Sequence, residues 1–219
     1  VGVNCSICGV RKARRACPGV NGEICSICCG TEREQSIDCP LDCEYLRHAH
    51  EHENKAEVPR GDLPDRDIDV DEEFIRKYEW VLIVLGSSLI DAYRETPAAT
   101  DYDTAEALAA LVQTYRAGQS GLIVEENLVN PYAAGMAESF RRRVAEIQAR
   151  LAESGEAGYL TDAAVLKITV FLRRLAILDN NGRKRSRAFL DILNRSYAGK
   201  PKPEDNAISE AADESRIIL

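Results

Sequence analysis

The thiol and imidazole chemistry open to this chain lies between Cys5 and His52. That stretch holds all eight cysteines (Cys5, Cys8, Cys17, Cys25, Cys28, Cys29, Cys39 and Cys43) and all three histidines (His48, His50 and His52). Cys5-Ser-Ile-Cys8 and Cys25-Ser-Ile-Cys28 are C-x2-C pairs, a spacing that lets two thiolates share a tetrahedral ion at about 2.3 Å each. Cys39-Pro-Leu-Asp-Cys43 adds a C-x3-C pair, also within zinc-ligand range. Cys28 and Cys29 are adjacent, and on an extended backbone they point to opposite sides, so they suit two ions better than one. The assignment is therefore interleaved. Cys5, Cys8, Cys25 and Cys28 close one site, and Cys17, Cys29, Cys39 and Cys43 close another, giving two zinc ions with no cysteine left over. His48 is the alternate ligand, in place of Cys17 or Cys29.

Other uses of eight cysteines fit less well. A disulfide framework goes with secretion, and Val-Gly-Val-Asn-Cys shows neither a charged n-region nor an apolar h-region. An iron–sulfur cluster also takes four cysteines, and spacing alone does not separate zinc from iron; the C-x2-C-x2-C run of bacterial ferredoxins is missing, however. A catalytic zinc keeps an open position and takes histidine or carboxylate ligands, so a cysteine-only site reads as closed and structural.

Cys5-x2-Cys8, Cys17-Pro18 and Ile24-Cys25-Ser26-x-Cys28 together resemble the first half of an HIT-type or MYND-type cross-brace zinc finger. That resemblance covers about the first thirty residues. It implies a small treble-clef-like module with two interleaved zinc ions and a role in protein contacts. The chain then departs from the pattern: Val20 stands where a second cysteine would follow Cys-Pro, and the closing His-x3-Cys is missing. Cys39 and Cys43 are expected to take over that end. The whole chain also resembles a bacterial family in which such a finger precedes a helical tail, a likeness that implies no activity.

The elements that must carry this module follow from pattern. With 219 residues and 45% apolar content the chain suits one ordinary domain plus a small module. The expected division is a double-zinc module over 1–53, an acidic turn-rich linker over 54–71, a five-helix bundle over 72–198 and a flexible tail over 199–219. The fold class is thus an all-α bundle preceded by a cysteine-rich zinc module. The first helix should start at Asp71 as N-cap and run to Glu95; apolar nearly all round from Trp80 to Leu85, it should be central. The second spans about 101–117. The third is restarted by Asn130-Pro131 and stops at Ser154-Gly155. The fourth starts near Thr161, and the fifth runs from Arg183 to Tyr197 after the Asn181-Gly182 turn.

Function is less specified. A net charge of −8 argues against a dedicated nucleic-acid-coating protein, and no apolar run approaches a membrane span. A cytoplasmic location is expected. The helical part has no histidine or cysteine, no Gly-rich phosphate loop and no Glu-x-x-His pair, so no catalytic residue is assigned and an enzyme is not expected. The primary reading is a zinc-stabilised adaptor with a protein partner. The alternative is a nucleic-acid-associated factor using Arg11, Lys12, Arg14 and Arg15 together with Arg183, Lys184, Arg185, Arg187 and Arg195. The candidate binding residues are Arg183, Lys184, Arg185 and Arg187, plus Ile217, Ile218 and Leu219, three apolar residues that would gain from docking in a groove.

Overall fold

The structure is a computed structural model that describes residues 2–53, 58–122 and 128–197. Among these residues there are eight α-helices and one two-stranded sheet, the expected all-α fold behind a cysteine-rich module. The module begins with a knuckle: Cys5 N–H donates to Arg11 O and Gly9 N–H donates back to Cys5 O, both at 2.8 Å. Gly9 takes φ 66°, which a side chain would disfavour. Strands β1 (Arg15–Cys17) and β2 (Gly22–Ile24) then pair antiparallel, Arg15 opposite Ile24. A Cβ at Gly22 would lie 2.8 Å from Ser6 Oγ on the knuckle, so the hairpin packs closely against it. Helix α1 (Ser26–Glu32) starts on Cys25, and α2 (Glu44–His52) starts on Cys43.

The bundle follows the expected order with two corrections. The single helix expected from Asp71 to Glu95 is divided into α3 (Glu72–Lys77) and α4 (Glu79–Glu95) at Tyr78, whose φ −107° and ψ 19° leave the helical region. Tertiary bonds explain the break. The Lys77 carbonyl accepts the Tyr159 hydroxyl, and the Tyr78 hydroxyl donates to Tyr159 O at 2.9 Å. Helix α5 (Asp101–Gln119) opens on a capping box between Thr100 and Asp103. Helices α6 (Pro131–Glu153) and α7 (Asp162–Leu178) open on the Asn130 and Thr161 caps. The main packing pairs are α5 on α7, α4 on α6 and α5 on α6, so α4 shares its central place with α5.

The second correction concerns the last helix. The expected start at Arg183 is five residues early, since α8 is Ala188–Tyr197. Its N-terminal neighbours are held by tertiary bonds instead: Arg185 N–H donates to Glu34 O at 2.7 Å, and Asp101 N–H donates to Ser186 O at 2.8 Å. These bonds reach away from the helix axis and prevent an earlier first turn.

The apolar core crosses from the module into the bundle. Ile24, Ile37, Leu41 and Leu46 belong to the same buried cluster as Leu85, Leu89, Phe140 and Phe189. The described end of the linker, 58–71, is strapped onto α5 and α7. Ile68 and Val70 pack on Val112, Leu166 and Val170. Arg174 donates to Pro64 O, Asp65 O and Ile68 O, while Arg116 and Arg173 pair with the Asp65 carboxylate. No helix among the described residues is long and apolar enough to cross a membrane.

Candidate metal centre

Knuckle, hairpin and helix converge on four sulfurs. Cys5 and Cys8 come from the knuckle, and Cys25 and Cys28 from the first turn of α1. One ligand atom of each lies within 4.8 Å of all the others. Tetrahedral zinc thiolates at about 2.3 Å place sulfurs about 3.8 Å apart, which that cluster accommodates. The four-cysteine cluster can hold one metal ion. Cys25 also caps α1, its Sγ accepting the Cys28 N–H at 3.4 Å. A thiolate at a helix N-terminus is favoured by the aligned peptide dipoles.

The protonation balance of the quartet fits a cation. Burial pushes the Cys5 thiol up, but N–H groups of Cys8, Cys25 and Ile7 outweigh it and bring Cys5 down to about 6. Cys8 is lowered by the N–H groups of Arg11 and Val10. Cys28 is pushed up to about 12 by burial and by the sulfurs of Cys25, Cys5 and Cys8 around it. Four thiolates thus cannot coexist without a compensating positive charge. Arg11 supplies part of it, its pKa raised by hydrogen bonding to the Cys25 sulfur and by the nearby Cys8.

The other four cysteines share the walls of one small cavity with Arg33 and Ile37. Cys39 there is raised to about 11, chiefly by burial, with the charges of Glu34, Cys43 and Cys17 adding to it and a Glu34 N–H opposing it. Arg33 Nη2 lies 3.9 Å from Cys29 Sγ. Cys28 and Cys29 do diverge, Cys28 to the quartet and Cys29 to this cavity. The reason given by the sequence needs correcting: both residues sit on α1 rather than on extended backbone, and helical rotation separates them. His48 points outward, its side chain 74% exposed and 3.5 Å from Glu51.

Of the cationic candidates at 183–195, Arg187 is buried and Arg183 half-buried, while Lys184, Arg185 and Arg195 are exposed. Arg187 is fully buried; its guanidinium donates to Ala99 O (3.0 Å), Cys39 O (3.1 Å) and Pro97 O (3.0 Å) and pairs with Asp38. Arg183 donates to Arg33 O at 2.8 Å and pairs with Glu53 at 3.1 Å. Arg185 lies 3.7 Å from Asp38, and Arg195 pairs with Asp191 at 3.3 Å. Arg15 stacks over the Tyr45 ring at 4.4 Å. Ile217, Ile218 and Leu219 lie outside the described residues.

Sequence reasoning missed a second polar centre at the seam between module and bundle. His50 is buried there, with Nε2 3.0 Å from Glu34 Oε2 and Nδ1 3.0 Å from Asp191 Oδ2. Asn181 Nδ2 donates to Glu34 Oε2 at 2.7 Å and to Glu53 Oε2 at 3.1 Å. One signal of it is present in the sequence. Leu46 and His50 are four residues apart, so a helix that buries Leu46 turns His50 inward too. Comparison with family models, with curated proteins and with solved structures finds no match.

Proposed function

We propose that the chain is a zinc-stabilised interaction protein whose finger offers an apolar surface to a protein partner. The observation that carries this reading is the placement of four apolar side chains in solvent around the cysteine quartet. Val3 (60% exposed), Ile7 (39%), Val10 (83%) and Ile27 (53%) all lie within two residues of a quartet cysteine. Ile7 and Ile27 occupy the same position in the two Cys-Ser-Ile-Cys pairs. A metal closed by four thiolates has no open position for chemistry and fixes the shape of what surrounds it. Apolar residues left in solvent on such a rigid frame suit a partner surface.

In this reading Cys5, Cys8, Cys25 and Cys28 hold one zinc ion, and Cys17, Cys29, Cys39 and Cys43 hold a second in the cavity they share. The cross-brace resemblance to HIT- and MYND-type fingers, which covers about the first thirty residues, agrees with the first site and with the role. No catalytic residue is assigned. The intramolecular engagement of Arg15, Arg183, Arg187 and Arg195 favours a protein partner over nucleic acid.

The test combines metal content with binding. Protein purified without added metal is expected to contain two zinc ions per chain; one ion, or iron with visible charge-transfer absorption, overturns the metal assignment. A Val10→Asp/Ile27→Asp variant should keep its zinc and melting temperature but lose the partner that the wild type enriches from native extract. Retention of that partner, or loss of binding only as salt is raised, defeats the apolar-surface reading.

A further inference from the structure

We infer that Glu34, His50 and Glu53 form a separate divalent-cation site at the seam, with nitrogen and oxygen ligands and no thiolate. This goes beyond the cysteine sites and does not depend on them. One ligand atom from each of Glu34, His50 and Glu53 lies within 4.8 Å of the other two. The 3.0 Å between His50 Nε2 and Glu34 Oε2 matches the separation of neighbouring ligands on an ion at about 2.1 Å. One imidazole and two carboxylates suit Mn²⁺, Fe²⁺ or Zn²⁺, whereas thiolate sites select the softer ions.

The surroundings are those of a metal-binding histidine. Asp191 is fully buried and holds the far ring nitrogen, Nδ1, through Oδ2 at 3.0 Å. Carboxylate–histidine pairs of this kind orient the ring and direct Nε2 at a metal. The other Asp191 oxygen, Oδ1, is buried and has no hydrogen-bond partner, and Arg195 shares Oδ2 with the ring at 3.3 Å. Glu53 Oε1 also lacks a hydrogen bond, although Arg183 lies 3.1 Å away. Asn181 accepts the Arg183 N–H through Oδ1 at 3.0 Å, and this fixes Nδ2 toward both glutamates. It therefore supports the two carboxylates from outside the ligand set.

The chain also accepts backbone strain to place one of these ligands. Glu34 has φ 52°, in the left-handed region that glutamate rarely visits, and its side chain is fully buried. Arg187 N–H holds its second oxygen, Oε1, at 2.6 Å. Without a metal, the Nε2 proton bridges His50 to Glu34. A bound cation would take the place of that proton, which leaves to solvent. A cavity of about 120 Å³ opens beside His50 and Glu53 and is lined also by Asp179, Asn181 and Arg195. It has room for water on the remaining coordination positions, so the site is expected to be exchangeable, unlike the closed cysteine quartet.

Manganese separates the two kinds of site, because Mn²⁺ is hard and binds thiolate cages poorly. The experiment is an Mn²⁺ titration of full-length, zinc-loaded protein followed by electron paramagnetic resonance. One Mn²⁺ per chain should be retained, with nitrogen hyperfine coupling from a single imidazole. Glu53→Gln, at the partly exposed edge of the site, should weaken retention by more than about tenfold. Glu51→Gln, on the helix that carries His50 but outside the cluster, should leave it unchanged. If Mn²⁺ stays free at millimolar concentration, the site does not exist and His50 is a buried cation paired with two carboxylates. Retention without nitrogen coupling, or unaffected by Glu53→Gln, places the ion elsewhere and equally overturns the assignment.

Discussion

Removing the Arg187 side chain should destabilise the whole protein, not only the seam where it lies. Its guanidinium donates to the carbonyls of Pro97 and Ala99 in the bundle and of Cys39 in the module, and it pairs with Asp38. The ion pair is the smaller part of the effect. Asp38 is 41% exposed and can rehydrate once the arginine is gone. The Ala99 and Cys39 carbonyls cannot do so easily, since their bonds to the guanidinium are buried, whereas Pro97 is exposed. Each orphaned acceptor costs about 1–3 kcal/mol. Water entry and relief of guanidinium desolvation reduce the simple sum, and about 3–5 kcal/mol is expected. For a chain of this length that corresponds to a fall of about 6–20 °C in melting temperature.

Arg187→Met is the sharper variant, because it keeps most of the volume and removes only the donors. Urea unfolding would be followed by far-UV signal for the helices and by thiol reactivity for the module. One shared transition at lower denaturant is expected for both probes, because the buried cluster is continuous across the seam. Two results would refute the reasoning. The first is a loss below about 1 kcal/mol, which would show that water satisfies the carbonyls. The second is exposure of the cysteines while the helices stay folded, which would show that the module and the bundle unfold separately.

Two further outcomes follow from other buried groups. Asp101 is fully buried, and burial raises its pKa to about 6 from an ordinary 3.8, although Ser186, Phe189 and Leu190 donate to its carboxylate. The folded state therefore binds its proton more tightly than the unfolded chain. The resulting stabilisation is full below about pH 4 and is lost as pH rises through about 6, an effect on the order of 2–3 kcal/mol. Asp101→Asn should flatten the stability profile between those values in denaturant titrations, and an unchanged slope would contradict the burial argument. Arg174→Ala removes three bonds from the strap at 64–68. It should cost about 1–3 kcal/mol and make 58–71 the first segment cut in limited proteolysis; cleavage unchanged in rate and position would mean that Ile68 and Val70 hold the strap alone.

The quartet was legible because its information is local. Two C-x2-C pairs name four ligands by spacing, and only a turn and a helix start are needed to bring them together. Most helix starts were legible for the same reason: Asp71, Asn130 and Thr161 each bond the first turn that follows. The break at Tyr78 was not, because it depends on Tyr159, which lies 81 residues along the chain.

The seam was hidden by a different effect, the likeness of its residues to an ordinary solvated helix face. Arg183, Lys184, Arg185 and Arg187 read together as a cationic stretch opening the last helix. In the fold Arg187 turns fully inward while Lys184 and Arg185 stay at the surface, and no periodicity in the stretch separates them. The decisive partners are Glu34, Asp38 and Cys39, about 150 residues earlier, on the segment that also carries the cysteine cavity. Glu34 connects the two polar centres directly. Its backbone N–H reaches the Cys39 sulfur, its carbonyl accepts the Arg185 N–H, and its carboxylate meets His50 and the Arg187 N–H. A residue that is buried, charged and left-handed would be costly anywhere else in the chain. Here its strain is offset by the groups it ties together, and it joins Arg187, His50 and the continuous apolar cluster in coupling the cysteine module to the helical bundle.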